Sequence, residues 1–146
     1  MKRLLTILCL VLLSSCSQPD IPSHRLVQNG GLTYEVGSNN PYTGVSSTFD
    51  QDGQLERKKE YENGIELSDT IFGYHENGQL AFRGNLVDGK PEGLAETFRV
   101  NGQLQGRENY KNGKEDGLWE EFDEDGNLTR TQTFRNGELV EENDNP

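Results

Sequence analysis

"NGQLQGRENYKNG", residues 101–113, is the stretch whose reading decides the fold. An Asn-Gly pair closes each end and the centre is polar. Near-copies run from Asp52 ("DGQLERKKEYENG"), Asn77 ("NGQLAFRGNLVDG") and Asp125 ("DGNLTRTQTFRNG"). Three series of large apolar residues keep the same beat. Phe49, Tyr74, Phe98 and Phe122 are 25, 24 and 24 residues apart. Leu55, Leu80, Leu104 and Leu128 repeat that spacing, and so do Tyr61, Leu86, Tyr110 and Phe134. Self-similarity at such a period is the signature of a repeat architecture, in which each unit buries its apolar side only against its neighbours.

Asx-Gly between alternating segments is a strong short-range hairpin signal. Loop length then sets the register, because a one-residue slip moves every side chain to the other side of a sheet. A two-residue loop at Asn101-Gly102 would separate Phe98 from Leu104. A three-residue loop, Val100-Asn101-Gly102, pairs Phe98 with Leu104, with Gly102 in the left-handed region that glycine tolerates. The same reasoning at the second pair makes Lys111-Asn112-Gly113 a three-residue loop. It gathers Leu104, Tyr110, Leu118 and Phe122 onto one apolar face, opposite a polar one.

The expected fold is therefore all-β: an antiparallel β-hairpin meander, a single twisted or curled sheet of about four repeats of 24–25 residues. Burying one Leu or aromatic side chain is worth roughly 1.5–3 kcal/mol. Ordering each residue costs roughly 1–2 kcal/mol, so one repeat alone does not fold and stacked repeats do. The unit leading to Tyr74 carries one extra residue and lacks the entering glycine seen as Gly44, Gly93 and Gly117. A bulge or bend is expected there. The acidic ending "ELVEENDNP" discourages pairing at the last edge strand.

The chain opens on "MKRLLTILCLVLLSSC", a basic start, an apolar run and small residues, which reads as an export signal too short to span a bilayer. Leu13-Ser14-Ser15-Cys16 resembles the lipobox of bacterial lipoproteins. The resemblance implies cleavage before Cys16, which then carries a diacylglycerol thioether and an amide-linked acyl chain. Several chains hold durably at about 0.8 kcal/mol per buried methylene. Ser17 in place of Asp resembles lipoproteins sorted to the outer membrane, facing the periplasm in a Gram-negative cell. With Cys9 removed and Cys16 acylated, no thiol remains for a disulfide, metal or nucleophile. Loss of Lys2 and Arg3 leaves 12 basic against 25 acidic side chains, a net charge of −13, which disfavours nucleic acid and anionic headgroups. The expected organisation is a signal peptide at 1–15, a flexible tether at 16–28 with Pro19 and Pro22, a repeat domain at 29–142 and an acidic tail at 143–146.

The repeat residues resemble the MORN repeat variant (membrane occupation and recognition nexus) in its bacterial form. Gly117-Leu118-Trp119-Glu120-Glu121-Phe122 through Leu128 and Phe134 fits its pattern best. Gly93 to Lys114 follows it with Ala95 at the Trp position, and "NPYTG" at Asn40–Gly44 is similar to the family's entry. Many bacterial members are assigned as antitoxins, so the resemblance implies either a binding protein or an antitoxin-like or immunity protein that neutralises a toxin.

Candidate chemistry is sparse. His24 and His75 have no nucleophile or carboxylate at motif spacing. Asp50-Gln51-Asp52-Gly53 and Asp123-Glu124-Asp125-Gly126-Asn127 approach a calcium loop, which needs D-x-[DN]-x-[DN]-G and a later bidentate Glu, yet one carboxylate position is missing; their Asp-Gly serves the hairpin. Arg57-Lys58-Lys59 reads as solvated strand polarity. Trp119, the only Trp, falls by parity on the face opposite Leu118 and Phe122, in polar surroundings. It is either a cross-strand packer or a candidate partner contact, since Trp is favoured at interface hot spots. The expectation is a lipid-anchored cell-envelope protein without catalysis, cofactor, metal or small-molecule substrate, its lipid in the membrane and its repeats on a protein partner.

Overall fold

The computed structural model describes residues 20–144. The signal segment, the expected lipidation residue Cys16 and the last two residues of the acidic tail lie outside the described residues. Among the described residues fourteen strands follow in order, with one 3-10 turn (Ser23–Arg25) among them. They are β1 (Asp20–Pro22), β2 (Leu26–Asn29), β3 (Leu32–Glu35), β4 (Gly44–Phe49), β5 (Leu55–Glu62), β6 (Ile65–Tyr74) and β7 (Leu80–Val87). Then come β8 (Lys90–Pro91), β9 (Gly93–Phe98), β10 (Leu104–Lys111), β11 (Lys114–Glu115), β12 (Gly117–Phe122), β13 (Leu128–Arg135) and β14 (Glu138–Asp144).

The main sheet runs β1-β4-β5-β6-β7-β9-β10-β12-β13-β14, with β8 and β11 paired beside β7 and β10. Every pairing along it is antiparallel except β1 with β4. The meander is an open sheet. The segment expected to be a tether is built into the domain from Asp20 onward: β1 pairs Ile21 with Ser46, and β2 forms its own hairpin with β3. Ser47 Oγ donates to the Asp20 carboxylate at 3.0 Å, which fixes this start of the chain to β4.

Two kinds of Asx-Gly turn alternate. At the first, Phe98 pairs with Leu104, the Gly102 N–H donates to Arg99 O, and Gly102 takes φ +84°. This is the expected three-residue loop, and it recurs where Phe49 meets Leu55, Tyr74 meets Leu80 and Phe122 meets Leu128. The second kind departs from expectation. Lys111 pairs with Lys114 and Tyr110 with Glu115, leaving a two-residue loop. Asn112 and Gly113 take φ +52° and +81°, the type I′ geometry whose twist matches that of the strands. Asn63, Asp88 and Asn136 adopt the same left-handed backbone.

A bulge follows each three-residue loop. Leu104 pairs with Phe98 and Gly106 with Thr97, so Gln105 is left over. Glu56, Ala81 and Thr129 are the corresponding extra residues in the other hairpins. One inserted residue reverses the alternation of the strand. The single apolar face expected from the sequence is thereby split in two. Phe98 and Leu104 share a face with Arg107, Glu96, Leu118 and Phe122, whereas Tyr110 lies on the other with Ala95 and Trp119. The unit before Tyr74 does carry the expected distortion: β6 is a single ten-residue strand in which Leu67 bulges between the Tyr61–Glu66 and Glu60–Ser68 pairs.

The sheet is one layer thick. Among the described residues Tyr42 and Tyr61, each 6% exposed, are the only apolar side chains that are buried. Their rings meet edge-on at 5.8 Å, and the Tyr42 hydroxyl donates to Val45 O. Stability thus comes from pairing and from stripes on both faces, with little enclosed core. The type I′ assignment has a direct consequence. Asn112→Ala should destabilise by about 1 kcal/mol, because Ala lacks the short polar side chain that lets Asn tolerate the left-handed region, while Asn112→Gly should be close to neutral. Urea unfolding of the two variants checks it.

Candidate functional site

The residues with the most specific geometry lie along the two rows of turns and on the face that carries Trp119. The rows of turns come first, because they hold successive repeats in line. On the three-residue-loop side, Arg99 donates to Phe122 O at 2.6 Å, and the Asn77 amide donates to Val100 O at 2.8 Å. His75 Nε2 lies 2.8 Å from Phe98 O and bears the proton there. Where the leading residue is Asp, the carboxylate closes its own turn. Asp50 Oδ1 accepts the N–H groups of Asp52 and Gln54, and Asp123 Oδ1 those of Asp125 and Asn127. The Asn127 side chain also binds Asp123, holding that carboxyl below the usual carboxylate range. These Asp-x-Asp-Gly runs are therefore turn caps in the structure, and among the described residues no group of three His, Cys, Asp or Glu is placed to hold a metal.

The type I′ side has its own fastening, which the sequence reading missed. The N–H groups of Gly64, Gly113 and Gly137 donate to the carbonyls of Tyr42, Pro91 and Glu115 in the preceding unit. Beside them the N–H groups of Asn63, Asn112 and Asn136 donate to the side chains of Thr43, Glu92 and Asp116. These three acceptors each stand immediately before an entering glycine. A polar acceptor followed by Gly at the repeat spacing was the available signal.

Trp119 sits in an aromatic row. Its ring centroid is 4.7 Å from that of Phe134 and 5.8 Å from that of Tyr110, and its indole N–H donates to Asn109 O at 3.3 Å. It does lie opposite Leu118 and Phe122, but its surroundings are aromatic, because the bulge at Gln105 brings Tyr110 to this face. Tilted aromatic pairs of this kind add roughly 0.5–1.5 kcal/mol beyond area burial. Beside the row lies a hollow of about 360 Å³ whose lining includes Thr97, Gly106, Glu108, Trp119 and Glu121. A smaller, mostly apolar hollow of about 170 Å³ adjoins it, walled by Ile71, Phe82, Leu86, Ala95 and Tyr110. Gly106 and Gly84 give these hollows their depth: a Cβ at Gly106 would stand 3.0 Å from Thr97 Oγ1, and one at Gly84 3.4 Å from Ala95 Cβ.

Charge is arranged by face as well. Arg57 and Lys59 flank Asp69, a carboxylate whose side chain is 4% exposed. Arg57 Nε donates to Asp69 Oδ1 at 2.6 Å and Lys59 stands 3.4 Å away. Lys58, between them, points to the other face and pairs with Glu60 at 3.1 Å. The basic triplet is thus divided between the two faces. On the face of Phe98 and Phe122, Arg83, Glu96, Arg107 and Glu120 form an alternating line, and the two guanidinium groups lie 5.9 and 5.6 Å over those rings.

Burial pushes the Asp69 carboxyl up, but the Arg57 hydrogen bond and the Lys59 charge outweigh it and hold the pKa below its usual value. A depressed carboxylate contributes stability that is present above its unfolded pKa and lost as pH falls through the folded one. Melting temperature should therefore fall on acidification below the ordinary carboxylate range. In Asp69→Asn that acid dependence should flatten, alongside a lower melting temperature at pH 7, as a thermal melt series across pH will read.

With this geometry in hand, comparison with known families is decisive. The model of the MORN repeat variant matches residues 42–63, 91–112 and 115–136. The chain carries three MORN repeat variants. Each matched stretch ends at a type I′ turn, at Asn63, Asn112 or Asn136. The unmatched stretch between the first two contains β6 and β7, the hairpin with the Leu67 bulge and no entering glycine. MORN repeats generally mediate interactions with proteins and membranes. A comparison with curated proteins finds no match.

Proposed function

We propose that this MORN repeat protein is a non-catalytic, lipid-anchored component of the cell envelope whose repeats bind a protein partner. The observation that carries the reading is the aromatic row Tyr110–Trp119–Phe134 on an open sheet face beside the 360 Å³ hollow. A single-layer sheet leaves that row only half-covered, and aromatic side chains beside a pocket are the usual anchors of a protein interface. Glycine, Ala95 and Thr97 keep the neighbouring strands low, so a partner's side chain has somewhere to go. Anchoring rests on Leu13-Ser14-Ser15-Cys16, and the strong negative charge of the exported chain is consistent with a protein held at the membrane mainly by its lipid.

Two measurements separate the parts of this proposal. Cys16→Ala should move the protein from the membrane fraction to the soluble one, and a variant that stays in membranes contradicts the anchor. A photocrosslinking residue at Gln132, which pairs with Trp119, should join a partner, whereas one at Thr131, on the opposite face, should not. Equal crosslinking from both positions contradicts this face as the binding surface. Trp119→Ala should weaken the Gln132 crosslink by about tenfold, in keeping with an interface anchor worth 1–2 kcal/mol, while costing about 2 kcal/mol of stability for a half-buried aromatic.

A further inference from the structure

We infer that the outer face of the β2–β3 hairpin rests against the lipid bilayer, with the sheet standing outward from it and its acidic end farthest away. The inference builds on the anchoring read at Cys16. The first described residue, Asp20, already belongs to the sheet, so only residues 17–19 separate it from the lipidated position. Four residue steps, fully extended, reach about 14 Å at 3.3–3.6 Å per residue. Asp20, fixed to β4 by Ser47, therefore cannot stand farther than that from the membrane interface where the acylated Cys16 sits.

The hairpin next to this attachment is suited to lipid. Val27 pairs with Tyr34, and the Val36 N–H donates to Arg25 O, which extends the ladder and places Val27, Tyr34 and Val36 on one side. Val27 is 48% exposed and Val36 60%. The opposite side of the hairpin is covered, since Thr33 is 4% exposed, and the free edge of β3 pairs with Gly64 and Tyr42. The side carrying Val27, Tyr34 and Val36, flanked by Arg25 and Asn29, thus faces outward from the domain. Tyr suits the headgroup depth, with an apolar ring and a polar tip.

Charge is graded in the same direction. Residues 20–43 carry two acidic and one basic side chain, whereas residues 115–144 carry eleven acidic and two basic. Nine strand spacings of about 4.8 Å put β14 up to about 43 Å from β1 along the sheet. A chain with the near-neutral end at the bilayer keeps most of its negative charge beyond several Debye lengths from anionic headgroups.

The test uses the acylated full-length mature protein in phosphatidylcholine vesicles containing doxyl-labelled lipid. Because the mature chain has no other cysteine, one fluorophore is placed at V36C and, in a second protein, at E142C. Lipid quenching of the Val36 probe with none at the Glu142 probe is the expected result. A protein that fails to float with the vesicles overturns both the anchor and this inference. One that floats with both probes unquenched overturns the inference alone, because the domain then swings free of the bilayer. A Val36 probe shielded from iodide but not quenched by the labelled lipid also overturns it, pointing to a protein covering the hairpin.

Discussion

One inserted residue after each Leu of the three-residue loops governs everything else in this sheet. Without Gln105 and its counterparts, Tyr110 would share a face with Leu104, and one side of the sheet would be apolar while the other was bare. With the insertion, the Phe and Leu stripe lies on one face near one row of turns, and the Tyr, Trp and Phe stripe on the other near the second row. A single-layer sheet has no interior, so its two faces must each be dressed. The bulges dress both from one 24-residue sequence.

The rows of turns then hold the stripes in line. The type I′ turns at Asn63, Asn112 and Asn136 each offer two N–H groups outward, and the preceding repeat answers with a backbone carbonyl and a side-chain acceptor at Thr43, Glu92 or Asp116. The opposite row is fastened by Arg99, His75 and Asn77 reaching to the next repeat's carbonyls. Net hydrogen-bond energies of about 1 kcal/mol each are modest, but they recur along both rows of turns and fix the offset between the neighbours they join. An open sheet of this kind gains its stability from such nearest-neighbour terms. It presents to a partner a surface whose spacing is set by the repeat.

Much of this was legible in the sequence. The 24-residue spacing of Phe98, Leu104 and Tyr110 with their counterparts announced hairpin repeats, and pairing Phe98 with Leu104 selected the three-residue loop. The second turn was not legible by that argument, because Asn112-Gly113 looks the same as Asn101-Gly102. Only the backbone shows that Asn112 itself enters the left-handed region. Parity counting then failed by one residue at Gln105, and with it the surroundings of Trp119. The tether was misread for a different reason: Pro19, Pro22 and a polar run suggest a spacer, yet Asp20 finds Ser47 across the sheet, a contact between residues 27 positions apart that local pattern cannot show. Asp69 was invisible for the same reason, since its burial depends on Arg57 and Lys59 from the neighbouring strand.

The central claim is the division of the apolar residues between two faces, and side-chain NOE measurement in solution tests it most directly. The account predicts NOEs from the Trp119 indole to the rings of Tyr110 and Phe134, and from the Arg107 side chain to the Phe122 ring. NOEs joining Tyr110 to Leu104, Leu118 and Phe122, with the Trp119 ring isolated among polar side chains, would contradict it.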